Sequence, residues 1–216
     1  MTARLLPAAG IALVLIGLAA ACGSSSAPNG SGAARISLVD KTWHCKKHVD
    51  LALVQVVMHG GHHDGVHLDH GCSGTIRKLV VVGPGGDGVK VHAGAHDVTI
   101  LGGRIDCGPK GLKIHQDAIQ AMGGMHVTFE RISSRGCANS FMFVNEGRQK
   151  REAPKAIVCR NCTASSGNYS ISIRHSTDSG ATDSTFASRR PPAATAVAVD
   201  PLVHGNTWHA TSRTRG

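Results

Sequence analysis

Aromatic rings are scarce in this chain of 216 residues: four Phe, two Trp and one Tyr make up 3% of it. A core cannot then rest on aromatic packing. It has to come from Val, Ile, Leu and Ala, which together with abundant turn glycine favour many short strands. Charge is also sparse, at 17% against 41% hydrophobic residues, and that balance excludes wholesale disorder. No long i, i+3, i+4, i+7 stripe occurs beyond the N-terminal apolar run, so helices are not expected. The 27 glycines follow no every-third-residue period, which excludes collagen. Gly83-Pro84-Gly85-Gly86 lacks the Lys-Ser/Thr ending of a phosphate-binding loop and reads as a turn. Acidic residues number 14 against 23 Lys and Arg, and the net charge of +9 favours an anionic partner. Nucleic acid is not expected as that partner, because no aromatics interleave with the basic residues. The length predicts one domain.

Arg4 precedes an apolar run over residues 5–21 that ends in Ala19-Ala20-Ala21 before Cys22. A positive n-region, an apolar stretch and small residues at a cleavage point predict an export signal over residues 1–21. Leu18-Ala19-Ala20-Ala21-Cys22 followed by Gly23-Ser24-Ser25-Ser26 resembles a bacterial lipoprotein signal. The resemblance implies lipidation of Cys22 and a lipid anchor on the extracytoplasmic face of the membrane. Ala19 stands where that signal usually carries a larger aliphatic residue, and the same Ala-x-Ala run also suits cleavage to a secreted protein. Residues 22–35 form a Gly/Ser linker with nothing to bury. Six cysteines then remain, and in an exported chain they read as three disulfides, with 15 pairings open. The pairing expected is Cys45–Cys72, Cys107–Cys137 and Cys159–Cys162; the alternative for Cys159-Arg-Asn-Cys162 is a redox or zinc site.

Short β-rich segments recur through residues 36–209, followed by a basic tail over 210–216. Clear copies are Asp64-Gly65-Val66-His67-Leu68-Asp69, Asp87-Gly88-Val89-Lys90-Val91-His92 and Asp117-Ala118-Ile119-Gln120-Ala121-Met122. With Met142, Ile171 and Val197 as the next inward starts, the spacings from Val66 are 23, 30, 23, 29 and 26 residues. A second series interleaves at Thr75-Ile76, Val98-Thr99-Ile100, Val127-Thr128-Phe129, Ala156-Ile157-Val158 and Thr185-Phe186. Units this short cannot bury their own apolar face and must stack. The repeat, with Ile114-His115-Gln116-Asp117-Ala118-Ile119-Gln120, resembles the right-handed parallel β-helix superfamily typified by pectate and pectin lyases. That resemblance implies an all-β, single-stranded right-handed parallel β-helix of about five to six coils; a β-sandwich is the alternative.

On such a helix the residues flanking inward positions face outward and align from coil to coil. The expected outward rows are Asp69, His92, Met122, Asn145, Arg174, Asp200 and His67, Lys90, Gln120, Phe143, Ser172, Ala198. Lys90, His92, Gln120 and Asn145 are candidates for binding substrate, the cations meeting uronate carboxylates. His115, Asp117 and Arg174 are the candidate catalytic set for a lyase or glycoside hydrolase, with Ca²⁺ as the cofactor if it is a lyase and none otherwise assigned. Asp64, Asp87 and Asp117 occupy one place in successive units, so a backbone-capping role competes with catalysis. The Asp-Asp, Gly-His-Gly and Arg-Ile-Lys signatures of the pectin-hydrolysing branch are missing. The His-rich stretch from His59 to His70 matches no standard closed zinc spacing, and no metal site is assigned. The expected function is an envelope lipoprotein that recognises, and as an enzyme would process, an anionic polysaccharide or cell-wall polymer. The alternative is a non-catalytic structural or partner-binding surface lipoprotein.

Overall fold

The computed structural model describes residues 33–108, 116–144, 153–188, 193–194 and 201–210. Among the described residues there is no helix. The expected export signal, Cys22, His115, Asn145, Val197, Ala198, Asp200 and residues 211–216 of the basic tail lie outside the described residues.

The strands wind into a three-faced parallel β-helix. One face is a seven-stranded sheet: Trp43–Cys45, Val66–Leu68, Val89–Val91, Asp117–Ala121, Asn139–Val144, Ile171–Arg174 and Ala193–Ala194, each paired parallel with the next. The other two faces form one continuous sheet, because the long strand His48–Val57 spans a corner. Its first half pairs with Ser73–Ile76 and its second with Leu79–Val82. Ala34–Val39 lies parallel along the same strand and covers the N-terminal edge. The seven-stranded face sets seven rungs, the first starting at Trp43, upstream of the first Asp-Gly copy.

Alternation explains the interior. Val66 and Leu68, Val89 and Val91, and Ile119 and Ala121 are fully buried, while the residue between each pair faces out. All four phenylalanines, Phe129, Phe141, Phe143 and Phe186, are fully buried, so the few rings present fill the middle and C-terminal rungs. Corners between the second and third faces turn through one residue of positive φ: Arg131 (52°), Asn161 (53°) and Asp183 (52°), with Gly205 (67°) in the last rung. The short polar side chains of Asn and Asp tolerate this conformation best among non-glycine residues.

The three disulfides pair as expected: Cys45–Cys72, Cys107–Cys137 and Cys159–Cys162. The first two span one coil each, with sequence separations of 27 and 30 residues.

Two sequence expectations are corrected. The inward start of the fifth rung is Phe141, which pairs with Ile119 and Ile171, and not Met142. A one-residue slip sends every side chain to the other face. Phe143 therefore points into the core and Met142 takes its place in the outward row of Lys90 and Gln120; Ser172 keeps its expected register in that row, opposite Met142, but is fully buried. The slip also places Val144, not Asn145, opposite Arg174. Second, Thr185-Phe186 belongs to a third strand series, pairing with Thr163–Ser166, and not to the series of Val98 and Val127.

Candidate functional site

The recurrent aspartates form a ladder between rungs. Asp64 Oδ1 accepts the backbone N–H of Asp87 at 2.6 Å, and Asp87 Oδ1 accepts that of Asp117 at 2.8 Å. Asp117 Oδ1 then accepts Asn139 Nδ2 at 2.7 Å. The capping is thus of the next coil, about 4.8 Å along the axis, and not of the residue's own turn. Asp117 is fully buried and Asn139 nearly so. The Asp117 carboxyl is buried within the ladder, a structural role that competes with the catalytic one.

Lys90 lies outward in register between His67 and Gln120. Its Nζ sits 2.9 Å from Asp64 and 3.3 Å from Asp87, so its charge is taken up by the ladder. Burial disfavours the charged lysine, but the two carboxylates outweigh that and hold its pKa above the ordinary value. Burial likewise pushes Asp64 upward; hydrogen bonds from His67, Lys90 and the Asp87 backbone outweigh it and bring Asp64 down to about 2. Asp87 goes the other way, raised by burial against its contacts with Asp117 N–H and Lys90. Gln120 Nε2 donates to Asp117 Oδ2 at 3.4 Å. Lys90, Gln120 and Asp117 are thereby drawn into one polar network. Arg174 is exposed two rungs beyond Asp117 and has no ion pair among the described residues.

His92 stands in the row after Lys90, its Nε2 3.8 Å from Asp69 Oδ1. Burial, and then the neighbouring His67, lower its pKa and favour the neutral ring. The rings of His44 and His67 meet edge to face with centroids 4.7 Å apart, and those of His67 and His92 are tilted by 57° with centroids 4.8 Å apart. Sequence reasoning missed His44. The signal was available: Trp43-His44-Cys45 precedes Val66-His67-Leu68 by the same 23 residues that separate Val66 from Val89.

A second feature lies on the third face, where Gln55, Val80 and Arg104 stand in one outward row and Val57 and Val82 in the next. With Lys78 and Gly103 they line an open groove of about 560 Å³. Its floor is valine, and its two basic side chains have no carboxylate partner among the described residues. One rung on, Arg135 is paired with Asp106 through Nε at 2.7 Å. The groove went unread because the strands Leu79–Val82 and Gly103–Asp106 make up the unrecognised third series. Leu79-Val80-Val81-Val82 is uniformly apolar and signals no face; the one available signal was the alternation of Gly103-Arg104-Ile105-Asp106.

The family model described as "Right handed beta helix region" matches residues 44–207. No curated protein and no solved structure gives a significant match to the chain.

Proposed function

We propose, from the premise that this chain belongs to the right-handed β-helix family, that it recognises an anionic polysaccharide at the cell envelope. The observation that carries this reading is the third-face groove, with Lys78 and Arg104 free of carboxylates above a valine floor. A polyuronate laid along it would meet cations for its carboxylates and apolar methyls for the sugar-ring faces. The net charge of +9 adds long-range attraction for a polyanion. Recognition is the reading preferred over cleavage, because Asp117 is buried in the ladder. The lipoprotein-like signal supports export and anchoring through Cys22, which would hold the domain by its linker near envelope polymers.

The test is a panel of acidic and neutral polysaccharides titrated into the protein at low salt, with absorbance of unsaturated products followed in parallel. Binding confined to acidic polymers and weakening steeply with salt is expected. Lys78→Ala with Arg104→Ala should lower affinity about 2- to 30-fold, since exposed charge pairs contribute roughly 0.2–1 kcal/mol each. No binding to any acidic polymer at low salt would reject the reading. Intact mass of the membrane fraction tests the anchor: an acylated Cys22 is expected, and an unmodified N-terminus would reject it.

A further inference from the structure

We infer that His44, His67, Asp69 and His92 form a binding site for a divalent transition-metal ion, with Zn²⁺ the best fit. The four residues come from three successive rungs, and stacking makes neighbours of residues 23 apart, His44 beside His67 and Asp69 beside His92, with His44 and His92 two rungs from each other. Around the Asp69 carboxylate, Oδ2 lies 2.8 Å from His44 Nδ1. Oδ1 lies 3.9 Å from His67 Nδ1 and 3.8 Å from His92 Nε2. A tetrahedral Zn²⁺ with bonds of about 2.0–2.1 Å places its ligand atoms roughly 3.3 Å apart. The separations from Asp69 bracket that value, and one ligand atom each from His44, His67 and Asp69 already lie within 4.8 Å of one another, so these three form the nucleus of the shell and His92 turns in as the fourth ligand.

Two further observations point to a cation. His92 Nε2 is a buried ring nitrogen with no hydrogen-bond partner among the described residues, and it faces Asp69. Such a group ordinarily finds a partner, and a metal ion supplies one. On the opposite side of His67, Nε2 is 2.8 Å from Asp64 Oδ2, which is itself 2.9 Å from Lys90. A carboxylate on the far nitrogen fixes the ring's orientation with Nδ1 turned toward Asp69, the usual support of a metal-bound histidine. Three imidazoles with one carboxylate exclude Ca²⁺ and Mg²⁺, which take all-oxygen shells, and select Zn²⁺ or its transition-metal neighbours. The His44 side chain is 45% exposed, which leaves an entry path.

The test uses tag-free protein stripped with EDTA and titrated with ZnCl₂ by calorimetry. One saturable equivalent is expected. His67→Ala and Asp69→Asn should each weaken it more than 10-fold, and Asp64→Asn about 10-fold by releasing the His67 ring. His62→Ala with His63→Ala, in the exposed turn, should leave it unchanged. Co²⁺ bound to the unmodified protein should show the intense visible absorption of tetrahedral coordination, a readout that does not depend on any variant folding. Non-saturable binding would overturn the site. So would loss of binding in the turn variant with retention in His67→Ala, or a Co²⁺ spectrum like the aqueous ion. None of these readouts involves polysaccharide, so the site stands or falls apart from the groove.

Discussion

Removing the Cys107–Cys137 disulfide by a double substitution to Ala should cost the fold about 4–5 kcal/mol. The bond joins residues 30 apart, across one coil of the solenoid. In the chain-entropy account, closing a loop of that size removes about 3.6 kcal/mol of unfolded-state freedom. Both cysteines are buried, Cys137 completely, so deleting two sulfur atoms adds roughly 1 kcal/mol of lost packing. The comparison is the same change at Cys159–Cys162, where the separation is 3 residues and the loop contribution falls to about 1.6 kcal/mol. Urea unfolding followed by circular dichroism, without reductant, would read both. Because each rung touches only its neighbours, hydrogen exchange should also place the loss in the rungs joined by Cys107 and Cys137. A loss below about 1 kcal/mol for Cys107/Cys137, or a larger loss for Cys159/Cys162, would refute the reasoning.

Asp117→Ala leaves the buried Asn139 amide without its acceptor, and a loss of about 2–4 kcal/mol is expected by thermal or urea melting. If that variant melts as the parent does, the ladder has no structural role. Gly88→Ala would set a Cβ 2.5 Å from Ile105 Cγ2 and 2.6 Å from the Ala118 carbonyl oxygen, so a loss of about 1–3 kcal/mol should appear in the same assay. Asp64 titrates in the fold at about 2, below its ordinary 3.8, so its contribution is present above about pH 4 and lost as pH falls toward 2. That contribution is about 2 kcal/mol, partly offset by Asp87, whose raised pKa works in the opposite direction. Asp64→Asn should flatten the acid limb of the stability curve, and an unchanged limb would count against the Lys90–His67 contacts. Ala156 adopts φ of 52°, so Ala156→Gly should leave stability unchanged or raise it by up to about 1 kcal/mol, against the usual cost of glycine in a strand.

Much of the architecture was legible because it rests on local chemistry. Val66, Leu68, Val89 and Val91 announce their inward face by alternation, and each Asp-Gly before them marks where a rung begins. Of the 15 pairings open, the expected one forms because coils of this length bring cysteines 27 and 30 residues apart to neighbouring positions. Alternation fails in Ser140-Phe141-Met142-Phe143-Val144, an almost continuous apolar run, and the inward start was misplaced there by one residue. Leu79-Val80-Val81-Val82 is equally uniform, and the third face and its groove were lost with it.

The sequence by itself determined that the chain would be a stack of short strands with an aliphatic interior and three cross-links. Period-two alternation, turn residues and cysteine count are properties of each segment alone. Only the tertiary structure decided that Asp64, Asp87 and Asp117 cap one another's rungs, that Lys90 is neutralised while Arg104 is not, and that His44 meets His67 and Asp69. Those contacts join residues 23 to 30 apart across turns of unequal length. Their meeting depends on the hydrogen-bond register of the whole stack, a quantity that no single segment carries.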